Sequence, residues 1–77
     1  MGVMRILGPE GDTAVAWDEA EAASIDETTA LFRQLLEVDG FVPFARDEGA
    51  PAAEARQIDA FDPAAEEIIW IRPITGG

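Results

Sequence analysis

The sequence predicts an α+β fold in which one main helix packs on one face of a mixed sheet of about five strands. Three observations support this prediction. The chain has 77 residues, which is enough for one small core and too few for two. Short apolar runs alternate with turn-forming Gly, Pro and Asp, and they indicate strands. A single amphipathic segment, bounded by a capping sequence and a glycine, indicates one helix.

Composition limits the function classes. Hydrophobic residues make up 48% of the chain, and no apolar run approaches the ~18 residues of a membrane span, so we expect a cytoplasmic globular protein. Sixteen acidic and five basic residues give a net charge of -11, the wrong sign for binding a nucleic-acid backbone. The chain has no Cys or His, which excludes structural zinc and the usual nucleophile systems. We therefore expect neither an enzyme nor a bound metal or cofactor.

The first two elements are predicted to form a hairpin. Residues 3–7 are a short apolar run, and residues 8–12 supply the Gly, Pro and Asp that favour a tight turn. Residues 13–17 then return as a second strand. Alternation places Val15 and Trp17 on one face of it with Thr13, and this is the heavier face of the hairpin.

A helix follows the hairpin. Ser24 and Glu27 fit a capping box, so we expect the helix to begin at about Ile25. Gly40 is expected to end it after about four turns, because glycine tolerates the left-handed conformation that closes a helix. The residues predicted to line its apolar face are Ile25, Thr28, Phe32, Leu35 and Leu36.

Three further strands are predicted after the helix. Residues 41–46 form one, and Pro43 within it suggests a sheet edge or a bulge, because proline cannot donate to a ladder. Residues 57–61 form a short strand, separated from the previous one by a loop. Asp62 suits the cap of a single helical turn. Residues 68–71 are the most apolar run in the chain, which is typical of a central strand.

The resulting order is strand, strand, helix, strand, strand, short turn, strand, which is the β-grasp arrangement. Together with the terminal Gly76-Gly77, this order resembles ubiquitin-like proteins and the related bacterial sulfur carriers over nearly the whole chain. Pro73 followed three residues later by Gly76-Gly77 is similar to the tail of the molybdopterin synthase small subunit. Arg72 before the tail is similar to ubiquitin. We accordingly expect a domain over residues 1–72 and a flexible tail over residues 73–77.

The resemblance implies that Gly76 and Gly77 form an activation tail. Two glycines have no side chains, so they can enter a narrow channel in a partner adenylating enzyme. The Gly77 carboxylate would then be adenylated. It would be conjugated to amines of target proteins, as in a protein modifier, or converted to a thiocarboxylate for a sulfur-accepting enzyme, as in a sulfur carrier. A third hypothesis is a non-covalent β-grasp interaction subunit.

A partner surface is expected on the sheet face that the helix leaves open. The charged residues Arg5, Arg46, Asp59 and Arg72 should lie on this face. Strand alternation then turns Ile69 and Ile71 inward. The opposite alternation, with Trp70 in the core, agrees equally well with the sequence. The residues of the expected partner surface are Trp70, Ile68, Phe44 and Arg72.

Overall fold

The computed structural model describes residues 1–8 and 11–72. They form one helix and a five-stranded mixed sheet, which confirms the predicted α+β fold and its β-grasp element order. The elements are β1 (Gly2–Gly8), β2 (Gly11–Trp17), α1 (Ala22–Glu37), β3 (Val42–Arg46), a 3₁₀ turn (Ala52–Glu54), β4 (Arg56–Gln57) and β5 (Glu67–Ile71). The predicted tail, residues 73–77, lies outside the described residues.

The strand order in the sheet is β2-β1-β5-β3-β4. β1 pairs with β5 in parallel, and the other neighbours are antiparallel. The predicted hairpin of β1 and β2 is present, with a one-to-one register from Gly2 opposite Trp17 to Gly8 opposite Gly11. The last strand is central, as predicted, because β1 and β3 hold it from both sides.

The helix begins earlier than predicted. It starts at Ala22, three residues before Ile25, and its N-cap residue Glu21 makes no side-chain capping bond. Ser24 lies inside the helix, where its hydroxyl accepts a hydrogen bond from the Asp18 amide at 3.0 Å. The predicted capping box is therefore wrong, because Ser24 ties the preceding loop to the helix and does not cap the first turn.

The end of the helix agrees with the prediction. Gly40 has a φ of 73°, the left-handed conformation that glycine adopts without a steric penalty. The chain can then reverse, and the Phe41 amide donates to the carbonyl oxygen of Leu35. This bond satisfies one of the free carbonyls of the last turn and directs the chain into β3.

The core lies between α1 and the inner face of the sheet. Trp70 is fully buried, and its ring meets Phe32 of α1 edge to face with the ring centroids 4.8 Å apart. Trp17 is also buried, and its ring meets Phe61 in the same manner at 5.1 Å. The buried hydrophobic residues are Met4, Trp17, Phe32, Leu35, Ala45, Ala65, Ile68 and Trp70.

The predicted exposure of Ile68 and Trp70 is wrong, because both are 0% exposed. The prediction relied on Arg72 to set the alternation of the last strand. Arg72 follows the end of β5 at Ile71, so its orientation does not report the faces of that strand. Glu67 lies within β5, and its ion pair with Arg5 marks the solvent side of the sheet. Ile69 and Ile71 share that side with Glu67.

The later elements differ from the prediction in extent. β3 is not an edge strand, because β4 pairs with it on the outer side. β4 has only two residues, and the Ile58 amide donates to the Pro43 carbonyl just beyond the ladder. Pro43 therefore lies where the outer ladder has already ended, and its missing N–H costs no ladder bond there. Asp62 caps a turn through the Ala64 amide at 3.0 Å, but residues 63–66 form this turn and not the predicted helical one.

Candidate partner surface on the open sheet face

The sheet face opposite α1 carries an apolar patch, which we call the open face. Strand alternation and register place every second residue there. In β1, β3 and β5, the open-face residues are Val3, Arg5, Leu7, Val42, Phe44, Arg46, Glu67, Ile69 and Ile71. Ile71 is 42% exposed and Leu7 is 38% exposed, while Phe44 and Ile69 are half-buried. Neighbouring apolar side chains exposed in this manner are typical of surfaces that bind another protein.

An ion-pair cluster crosses the open face beside this patch. Arg5 Nε donates to Glu67 Oε2 at 2.7 Å, and Arg46 Nε donates to Glu67 Oε1 at 3.4 Å. The hydrogen bond from Arg5 lowers the pKa of the Glu67 carboxyl, partial burial opposes this shift, and Arg46 adds to it. The carboxylate is thus shared by two guanidinium groups, one from β1 and one from β3.

Negative charge is scarce on the open face. The chain has sixteen acidic residues, and the described strands place two of them there, Glu67 and Asp12. Arg5 and Arg46 balance these two charges, and Arg46 also forms an ion pair with Glu66, the residue before β5, at 3.2 Å. A protein of net charge -11 therefore presents one face with little net charge, where an apolar partner surface is not repelled.

The chain leaves the sheet at the rim of this face. Ile71 is the last residue of β5 and pairs with Val42. The guanidinium carbon of Arg72 then lies 5.3 Å from the centroid of the Phe41 ring, within the range of a cation–π contact. The predicted activation residues, Gly76 and Gly77, lie outside the described residues.

The structure therefore places only part of the predicted partner surface on the open face. Phe44 lies on the open face, while Arg72 is exposed just beyond β5 with its guanidinium over the ring of Phe41, which packs against the core. Ile68 and Trp70 belong to the core. Ile69 and Ile71, which were expected to point inward, lie on the open face instead. The signal that identifies them in the sequence is Glu67, since a charged residue inside an otherwise apolar strand marks the solvent side.

A concave region lies on the helix side of the molecule. It is a half-open groove of about 400 Å³ between α1 and the loop that follows β4. Phe32, Leu36 and Phe61 form its apolar floor, and Arg33 and Asp59 stand at its rim.

The described residues show neither a metal site nor a membrane-spanning helix, and comparisons with known proteins found no match. Within residues 1–8 and 11–72, no group of three or more acidic side chains is placed to hold a metal ion. The helix in the same part of the chain lacks the length and apolar character needed to cross a membrane. The chain matches no protein-family model, no curated protein and no solved structure.

Proposed function

We propose that the protein is a ubiquitin-like modifier whose Gly77 carboxylate is adenylated by a partner activating enzyme and then joined to amines of target proteins. One observation carries this proposal: Gly76 and Gly77 follow, after a short spacer, the central strand of a β-grasp sheet. A strand that is paired on both sides gives the spacer a rigid starting point. An enzyme that binds the domain would meet the glycines a set number of residues beyond this strand.

The chemistry of the chain agrees with a role as substrate. It has no Cys, His or Lys, so it offers neither the usual nucleophile nor a neutral-pH proton shuttle of its own. The proposal needs only a free carboxylate on Gly77. The reaction would take place in the active site of the partner, and Gly77 would carry the reacting atoms.

The open face supplies a surface by which the activating enzyme would recognise the domain. Ile69, Ile71 and Phe44 form an apolar centre of the kind that anchors protein interfaces. Arg72 stands at the rim nearest to the tail. An enzyme bound to this face would contact β5, the strand from which the tail continues.

A sulfur carrier is the second candidate. The observation that favours it is Pro73, which stands three residues before Gly76-Gly77 as in the molybdopterin synthase small subunit. The adenylated intermediate is the same, and only the acceptor differs: sulfur replaces one carboxylate oxygen of Gly77. A non-covalent interaction subunit would use the open face alone and would not require the two glycines.

The deciding experiment uses the chain with an N-terminal affinity tag, expressed in the organism that encodes it. Trypsin cleaves poorly between Arg72 and Pro73, so conjugates are digested with a protease that cuts after glutamate. Cleavage after Glu67 leaves residues 68–77 attached to the acceptor lysine, and this branched remnant identifies a modifier by mass spectrometry. A matched chain that lacks Gly77 is the control.

The three candidates give different results. A modifier gives remnant-bearing lysines with the full chain and none with the chain that lacks Gly77. A sulfur carrier gives no remnants, and the intact protein shows the mass of one oxygen replaced by sulfur. If neither product forms and partners co-purify equally with both chains, the covalent functions are refuted.

A further inference from the structure

The groove on the helix side of the molecule follows one face of α1. The residues of its helix wall are Ile25, Thr29, Phe32 and Leu36. Successive members of this set are three or four residues apart, so they lie in one row along the helix. From Ile25 to Leu36 the row is about 16 Å long, or about three helical turns. The groove is therefore long enough to take a segment of another chain.

The facing wall is held in place by contacts within the domain. Phe61 in this wall packs its ring edge to face against Trp17, with the centroids 5.1 Å apart, and the Phe32 ring lies at 5.9 Å. The next residue, Asp62, forms an ion pair with Arg56 at 3.2 Å. Because both walls are fixed, an occupant can bind with little rearrangement of the groove.

Three charged side chains stand at the rim of the groove, namely Arg33 and Glu37 of α1 and Asp59 of the loop. All three are exposed, and no ion pair within residues 1–8 and 11–72 uses any of them. Arg33 and Glu37 are four residues apart, a spacing at which opposite charges often pair. The rim therefore offers two carboxylates and one guanidinium group to a partner.

The floor of the groove has no free polar side chain. Thr29 carries the one hydroxyl among the lining residues, and it donates to the Ile25 carbonyl at 2.6 Å. Small-molecule sites enclose most of their ligand and orient it with a few convergent polar groups. This groove is half open, and its free polar side chains are all at the rim. It fits a larger partner, whose own body covers the open side.

The backbone of α1 indicates that this partner segment is helical. The N–H and C=O groups in the middle of a helix bond to each other, so the helix wall has no backbone ladder to offer. An extended segment would leave its own backbone groups unpaired on that side, which is unfavourable once they are buried. A helix keeps its backbone bonds inside and presents only side chains, and amphipathic helices bind apolar grooves in this manner.

We propose that the groove binds an amphipathic helix of a partner protein, with an apolar stripe on one face and Lys or Arg beside it. The stripe packs on Phe32, Leu36 and Phe61, and the basic residues meet Glu37 and Asp59 at the rim. The net charge of -11 also favours a basic partner and opposes a second copy of this chain. This proposal uses neither the tail nor the open face, so it stands independently of the proposed modifier function.

The test is an NMR titration of the ¹⁵N-labelled chain with a blocked peptide of about 18 residues, long enough to hold a helix in water. The peptide consists of Ala, with Leu at every third or fourth position to form one stripe and Lys on both sides of it. The amide signals of Thr29, Arg33, Leu36 and Ala60 should shift and saturate. Unchanged groove signals at millimolar peptide would overturn the proposal, as would shifts confined to the open face.

A second peptide controls for the general attraction of a basic peptide to an acidic protein. It has the same composition, but its Leu and Lys residues are scrambled around the helix, so it has no apolar stripe. It should bind about tenfold more weakly or worse, because the apolar anchors no longer face the groove together. Equal binding of the two peptides would refute a docking groove.

Two double variants test the charges at the rim. Glu37→Lys combined with Asp59→Lys reverses both rim carboxylates, and it should weaken binding of the striped peptide about tenfold or more at low salt. Asp12→Lys combined with Glu19→Lys changes the net charge equally at exposed positions that do not line the groove. This control should have a much smaller effect. Equal losses in the two double variants would contradict the assigned role of the rim.

Two other results would identify a different occupant. Saturable groove shifts with octanoate and none with the striped peptide would replace the partner helix by a small apolar ligand. Groove shifts that develop when the chain alone is concentrated, together with dimer formation in sedimentation, would show that a second copy is the occupant.

Discussion

The two buried tryptophans allow a matched test of how a buried indole N–H affects the stability of the fold. Trp17 is 1% exposed and Trp70 is 0% exposed. Trp17 Nε1 donates to the Pro63 carbonyl at 3.0 Å. Trp70 Nε1 is equally buried and has no hydrogen-bond partner among the described residues. Replacing each tryptophan in turn by phenylalanine removes the same atoms from the two sites, but the hydrogen-bonding consequences are opposite.

The expected difference follows from these contacts. Each substitution leaves a cavity of similar size, so the packing loss cancels to first order. Trp17→Phe also loses a hydrogen bond with a net value of about 1 kcal/mol. Trp70→Phe removes a buried donor whose lack of a partner costs about 1–3 kcal/mol. Trp17→Phe should therefore lower the free energy of unfolding by about 2–4 kcal/mol more than Trp70→Phe does.

Urea unfolding followed by far-UV circular dichroism measures both variants on one scale. The comparison is sound where the two m-values agree with that of the unmodified chain, since the exposed surface is then unchanged. Equal losses at the two positions would refute the reasoning. A larger loss for Trp70→Phe would show that the Trp70 indole N–H has a partner of its own.

Three further predictions concern single positions. Gly2→Ala places a Cβ against the Trp17 ring and should cost about 1–3 kcal/mol of unfolding free energy in urea. Because Arg5 lowers the folded pKa of Glu67, this carboxylate stabilises the fold above its ordinary pKa of 4.5 and loses that effect as the pH falls through the lowered value. Glu67→Gln should therefore destabilise at neutral pH and not in strong acid, and a loss independent of pH would contradict the ion pair. Deleting Gly77 should abolish conjugation without changing Tm, and remnant-bearing targets formed by the shortened chain would contradict the covalent proposal.

Sequence patterns predicted the architecture because the strongest signals are periodic and local. The hairpin, the single amphipathic helix and the central last strand all follow from apolar spacing and turn residues. Helix ends were less certain, because a capping sequence competes with tertiary contacts. Ser24 illustrates this: its hydroxyl bonds the Asp18 amide, and the helix extends past it to Ala22. No local sequence pattern shows that the Asp18 amide, in the preceding loop, would donate to that hydroxyl.

The faces of β5 were harder to assign, since four consecutive apolar residues give no alternation. Ile68 and Trp70 lie inward because α1 presents Phe32 to them, and a Trp ring fills the space between helix and sheet. The outward face is fixed by a long-range contact between Glu67 and Arg5, which a sequence shows only if both strands are already paired. Glu67, the charged residue at the start of this run, was nevertheless enough to assign the two faces of β5. Arg72, which lies outside the strand, was not.

The absence of lysine bears on both covalent functions. If Gly77 is activated as proposed, it would acylate nearby amines, and the α-amino group is the only amine in this sequence. Arg5 and Arg46 supply the positive charge on the open face as guanidinium groups, which stay protonated and do not act as acyl acceptors. A modifier of this kind makes no chains through its own side chains, and a sulfur carrier of this kind is protected from its own activated tail. Lysine content therefore does not separate the two, and the chemical form of Gly77 after activation, isopeptide or thiocarboxylate, is what distinguishes them.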